Sequence, residues 1–305
     1  MDVKESNKEE IRKLLDDISK YDREDSANDE TGYYQDKNAI KSLFEFTRRE
    51  GLDESKIRIR LTVLDSMYST QMRMHPYGLE DLAKAIWEKC HKNYGVELKS
   101  TLTAIAADEK KVEDEKKISN LFCGEYGVET NKAKAVSLIS KYFYFETNYQ
   151  FPIYDSIVRK YLPLLYHYCG IDIEKRKKNP DNNMCELIEA INKFFREIKY
   201  TEDRRRYDYL DHLLWVIGKI LRGNLSLVLK KEKYKKITEE NEYKKIEPNK
   251  NKDSFSFIKK HKEDYEAYIN KLIEIFGPDG DLHGKIANIA LELINTDDFC
   301  PTRLP

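Results

Sequence analysis

The sequence predicts an all-α, multi-helix globular fold, on three observations. Only 12 glycines and 8 prolines interrupt 305 residues, which implies long elements with short connections. Apolar residues recur at helical rather than alternating spacing almost throughout. With 40% hydrophobic residues, a chain of this length can bury a substantial core.

The elements follow in order. Residues 1–36 hold twelve Asp or Glu against six Lys or Arg, and 20–36 is polar and acidic. This stretch is expected to be an acidic, partly flexible segment ahead of a helical core over 37–229. KIRIRLTV alternates as a strand would, yet Leu61, Leu64, Met67 and Tyr68 continue at helical spacing and favour a helix. Leu79, Leu82, Ala83, Ile86, Trp87 and Cys90 form the clearest apolar stripe, introduced by Pro76 and Gly78. NKAKAVSLISKYFYF places Ala135, Leu138, Ile139, Tyr142 and Phe143 on one face of a helix capped by Thr130 or Asn131. Asp155 stands at the start of DSIVRKYLPLLY, where its carboxylate is a natural amino-terminal cap. Leu187 to Ile198 and Leu210 to Leu221 make two further stripes, the second stopped by Gly223-Asn224. Residues 230–253 carry nine Lys and six acids and are expected to be a charged linker or exposed helix. Residues 254–305 are expected to form a helical segment packing on the core, with two helices separated by Gly277-Pro278-Asp279-Gly280.

Composition narrows the function. A net charge of -1 argues against coating nucleic acid by charge alone, since such domains carry a large basic excess. The acidic first 36 residues nevertheless leave the remainder with an excess of +5, and basic clusters at 174–178, 204–206 and 230–236 offer a few phosphate contacts. No apolar run approaches the roughly 20 residues that span a bilayer and no secretory leader is evident, so a cytoplasmic protein without a membrane partner is expected. Five scattered cysteines suggest neither disulfides nor a metal cluster, and isolated His75, His91 and His167 read as structural. The common nucleotide-binding, hydrolase and zinc signatures are absent, so no metal and no cofactor are expected.

One constellation carries chemistry. KAVSLISKYFYFETNYQFPIYDSIVRKYLPLLY runs from a helix bearing Lys134 and Lys141, through a turn, to Pro-x-x-Asp and a second helix; upstream, LTVLDSMYSTQMRM ends in Tyr68, Ser69, Thr70 and Gln71. In this order of segments, over residues 60–168, the chain resembles the helix-hairpin-helix superfamily of base-excision DNA glycosylases. The resemblance implies that superfamily's two-lobed helical architecture and a monomer that flips a base out of duplex DNA. It also implies Asp155 as the carboxylate beside the scissile nucleotide, and Lys134 or Lys141 as an amine able to form a Schiff base. Tyr68 to Gln71 would line the base pocket, and Gly124 and Gly127, in CGEYGVETNKAKA, would belong to the hairpin that grips a DNA phosphate. The superfamily's four-cysteine iron–sulfur loop has no counterpart here.

The chemistry suits these residues. Cleaving an N-glycosidic bond builds positive charge on the sugar, which a fixed carboxylate stabilises. A buried, neutral lysine can instead attack the sugar. Tyr68 or Trp215 can stack on a flipped base while Gln71 bonds its edge. Arg204, Arg205 and Arg206 precede an amphipathic helix either as the cationic entry to a core helix or as phosphate contacts. The expected activity is therefore excision of a modified base, with modified foreign DNA, as in bacterial defence, one possible target. The alternatives are a non-catalytic helical module for nucleic acid or protein in which Asp155 only caps its helix, and an interaction protein acting through 230–253.

Overall fold

The computed structural model describes residues 3–24, 32–68, 70, 72, 78–110, 118–122, 125–126, 133–173, 183–201, 203–222, 255–277 and 282–296. Over these residues the fold is all-α, with a single two-stranded hairpin.

Helix α1 (Val3–Glu24) corrects the first expectation. Ile11, Leu14, Leu15 and Ile18 sit at helical spacing, are buried, and anchor the supposedly flexible lead-in to the core. The exposed charges of α1, among them Lys4, Glu5, Glu10, Lys13, Asp16 and Lys20, occupy its other face, whereas Asp22 is buried. In α2 (Gly32–Arg49), Tyr34, Lys37, Ile40, Phe44 and Thr47 form the buried stripe. Helix α3 (Glu54–Tyr68) is capped by Asp53, whose Oδ1 accepts from Lys56 N at 2.8 Å. Its strand-like sequence arises because apolar residues lie on both faces: Ile57, Leu61 and Leu64 point inward, while Ile59 is 49% exposed.

Helix α4 (Leu79–Ile86) runs into a π-helical turn (Trp87–His91), a short α5 (Lys92–Tyr94) and then α6 (Leu98–Ala106). The π turn brings Cys90 into the core and lets His91 Nε2 meet the Tyr142 hydroxyl at 2.7 Å. After α7 (Ser119–Phe122), strands β1 (Glu125–Tyr126) and β2 (Ala133–Lys134) pair antiparallel, Glu125 opposite Lys134. This is a second correction. Residues 133 and 134 commit their backbone to Tyr126 and Glu125, so the helix expected from Thr130 or Asn131 begins only at Val136 as α8 (Val136–Glu146).

Helix α8 is buried on all sides from Leu138 to Glu146. It ends in a tight turn at Asn148 and Tyr149, both with positive φ, 57° and 72°. A left-handed tyrosine is unfavourable in isolation. Here its N–H reaches Tyr144 O at 2.7 Å and its ring centroid lies 4.9 Å from that of Tyr144. Asp155 then caps α9 (Ser156–Tyr168), which is followed by α10 (Asn183–Glu197), α11 (Arg206–Arg222), α12 (Phe255–Lys260), α13 (Lys262–Phe276) and α14 (Leu282–Asn295). The C-terminal helices pack on the core, α14 lying against α1, α9 and α11. Gly218 lets α9 and α11 approach: a Cβ there would lie 2.9 Å from Tyr161 Cε2.

The closest helix packing falls into two groups. Helices α1, α9, α11, α13 and α14 form one, with α13 packed on α14; α2, α3, α4 and α8 form the other. A buried polar network spans their junction, and this junction positions the candidate site.

Candidate functional site

Helix α11 buries every residue from Tyr207 to Leu221 except Asp211, Trp215 and Lys219, which keep partial exposure. At spacings of four they form one stripe of the helix surface. Four other residues of the chain bear on that stripe. Tyr68 closes α3, Lys141 comes from the middle of α8, Asp155 caps α9, and Lys37 comes from α2; the charges of Asp155 and Asp211 act on both Lys141 and Tyr68. Lys141 is 2% exposed, lies 5.2 Å above the Tyr68 ring, and donates to Ser137 Oγ at 2.8 Å. Asp155 Oδ1 accepts from Ile157 N at 2.8 Å and Val158 N at 2.9 Å. Lys219 Nζ stands 5.2 Å above the Trp215 ring.

Burial governs the electrostatics of this recess. It lowers the pKa of Lys141, an effect opposed by Asp155 and Asp211, and so favours the neutral amine relative to a lysine in water. It raises Tyr68 well above the usual phenol range. Asp211 is pushed up to about 8 by burial and by the neighbouring Asp155 and Asp208, so it holds its proton at neutral pH. Lys219 is lowered by burial and by Arg222, with Asp155 acting the other way. Tyr68 and Asp211 are half-buried by area, yet burial is the leading influence on both. Both side chains are therefore reached by solvent only in part.

The network beneath holds this wall in place. Asp208, fully buried on α11, accepts from Lys37 Nζ of α2 at 2.5 Å, from the Tyr144 hydroxyl of α8 and from Arg205. The Tyr34 hydroxyl bonds Asp22 of α1 and lies 3.0 Å from His212 Nδ1. Burial works against the Asp22 carboxylate, but His212, Lys37 and Tyr34 together hold its pKa well below the usual range. On the other side of α8, fully buried Arg60 donates to Thr47 Oγ1 at 2.7 Å, Phe44 O at 2.8 Å, Glu146 Oε2 at 2.8 Å and the Tyr142 hydroxyl at 3.2 Å.

Of the residues singled out in the sequence, Asp155, Lys141 and Tyr68 lie close enough to act on one another, and Asp155 also acts on Lys219, which covers Trp215 on the partly exposed stripe of α11. Lys134 does not: it is exposed on β2 and does not share a helix face with Lys141. Thr70 faces back to α3, its hydroxyl donating to Asp65 Oδ1 at 2.5 Å. Arg205 and Arg206 turn inward, contrary to the phosphate-contact expectation. Arg205 pairs with Asp208 and lies 5.1 Å from the Tyr149 ring centroid, while Arg206 bonds Thr201 O and Asn192 Oδ1 and covers the Phe195 ring. Both meet buried acceptors and aromatic faces that sequence spacing does not reveal. Arg204 is exposed. Ser69, Gln71, Gly124, Gly127, the clusters at 174–178 and 230–236, and the whole of 230–253 lie outside the described residues. Asp211, Lys219 and Lys37 were not singled out; only Lys37 carried a signal, as a charged residue within the apolar stripe of α2, whereas Asp211 and Lys219 lie opposite the apolar stripe of α11, where charged residues are ordinary.

Among the described residues no group of His, Cys, Asp and Glu is arranged to hold a metal ion, and no helix is long and apolar enough to cross a membrane. Comparison with family models, with curated proteins and with solved structures gives no match.

Proposed function

We propose that this protein cleaves an N-glycosidic bond of a nucleotide in DNA, in the manner of a DNA glycosylase, with the recess between the two helix groups as its active site. The observation that carries the reading is the convergence of buried Lys141 with Asp155 and Tyr68, from three separate elements, beside the partly exposed stripe of α11 that carries Asp211 and Trp215. A site between packed helix groups is a common place for a ligand pocket, and it suits the two-lobed arrangement that the resemblance implies.

In this mechanism the base is rotated into the recess and stacks on Tyr68 or Trp215. Asp155 faces the positive charge that develops on the sugar as the bond to the base lengthens. Water then completes hydrolysis, or the Lys141 amine attacks C1′ and passes to a Schiff base, which opens the way to strand scission. Desolvation of Lys141 supports the second route, and the exposure of Lys134 on β2 favours Lys141 as the amine in this reading. The partner in this reading is duplex DNA bound by a cytoplasmic monomer, with modified foreign DNA as one target class.

The test is base release and abasic-site scission on a panel of duplexes with modified bases, comparing wild type with Asp155→Asn and Lys141→Ala. We expect Asp155→Asn to lose at least about 100-fold in release, and borohydride to trap wild type but not Lys141→Ala. Absence of release from the whole panel, or full activity of Asp155→Asn, would refute the assignment. A second reading, a non-catalytic nucleic-acid or protein-binding helical module, draws on the two cap bonds of Asp155, which already give its carboxylate a structural role.

A further inference from the structure

We propose that Asp211 is the acid that delivers a proton to the departing base; this rests on the glycosidase reading of the recess. The assignment starts from position. Asp211 shares its stripe of α11 with Trp215 and Lys219, the only other positions between Tyr207 and Leu221 that retain partial exposure, and so lies on the side of the helix open to a ligand. One turn earlier, Asp208 is fully buried and engaged by Lys37, Tyr144 and Arg205, and it serves the scaffold. Asp211 therefore differs from its neighbour in access.

Titratable groups act on it from several elements. Tyr68 comes from α3, Lys37 from α2, Lys141 from α8, Asp155 from the start of α9, and Asp208 from α11 itself. The two aspartates discourage a third negative charge and burial adds to their effect, whereas Lys37 and Lys141 oppose it. A carboxyl group that keeps its proton beside a second carboxyl group is an arrangement by which glycosidic bonds are cleaved with acid assistance.

The step balances. The C1′–N bond breaks with its electron pair on the base nitrogen, and the Asp211 O–H proton passes to the base, which departs neutral. Asp155 faces the resulting sugar cation. Water forms the new C1′–O bond and yields its proton to the Asp211 carboxylate, which restores the acid.

The test separates leaving groups. Duplexes carrying N7-methylguanine release a base that departs neutral without gaining a proton, whereas hypoxanthine, uracil and 8-oxoguanine require one. We expect Asp211→Asn to lose about 100-fold or more on the second set, within the usual range for general-acid catalysis, and less than about tenfold on the first. The wild-type rate on the second set should fall at alkaline pH, and this limb should be absent in Asp211→Asn. Equal loss on both sets, with helical circular dichroism retained, would make Asp211 a structural residue and overturn the proposal while leaving the glycosidase reading intact. The same holds if neither set is affected. If wild type releases no base from either set, the glycosidase reading falls and this proposal with it.

Discussion

Asp211→Asn should stabilise the protein while removing the proposed acid, and the size of the effect should depend on pH. In the unfolded chain the carboxyl titrates near 3.8, and in the folded protein near 8. The folded state therefore binds the proton more tightly, and the stability this contributes is fully present below pH 4. It is lost as pH rises, because the unfolded chain can release the proton and the folded one cannot until about pH 8. Across that window wild type should lose up to about 1.4 kcal/mol per pH unit relative to the amide variant, which has no proton to release, for a total on the order of 5 kcal/mol. With a urea m-value of ~3 kcal/mol/M, the two unfolding midpoints should diverge by roughly 0.5 M per pH unit. Urea titrations of both proteins at successive pH values from 5 to 9, followed by far-ultraviolet circular dichroism, measure this directly. The divergence should level off above about pH 8. Parallel curves would show that Asp211 titrates alike in the two states, and the electrostatic description of the recess would be wrong.

Two further predictions concern the scaffold. Arg60→Met leaves the nearly buried Glu146 carboxylate without its main partner and should cost about 3–5 kcal/mol; adding Glu146→Gln should recover a large part, as a double-mutant cycle by urea denaturation would reveal. His91, lowered to about 4 chiefly by burial, is neutral in the folded state while the unfolded chain protonates near 6.5, so stability should fall as pH drops from 6.5 toward 4. His91→Gln should flatten that part of the thermal-unfolding profile, and an unchanged slope would count against the assignment.

Much of the fold was legible because helical periodicity is a local signal. The stripes of α9, α10 and α11 follow from the spacing of Leu, Ile and Phe, and α3 was recoverable from Leu61 and Leu64 despite its strand-like alternation. The failures came where local composition and tertiary contact disagreed. The charges of residues 1–36 obscured Ile11, Leu14, Leu15 and Ile18, because an apolar stripe covering one side of a charged helix leaves its mean composition polar. Lys134 was placed on a helix because its neighbours suit one, whereas pairing with Glu125 determined its backbone.

For the site, the sequence by itself supplied Asp155 as a helix cap, a local fact; a joint site role for Asp155, Lys141, Tyr68 and Trp215 was what the resemblance implied. Only the tertiary structure selected Lys141 over Lys134, turned Arg205 and Arg206 from surface contacts into internal partners, and brought Asp211 forward. The physical reason is desolvation. A lysine or aspartate acquires unusual protonation chemistry from the protein that surrounds it, and those surroundings come from helices α2, α3, α8, α9 and α11, distant in sequence and adjacent only in the folded chain.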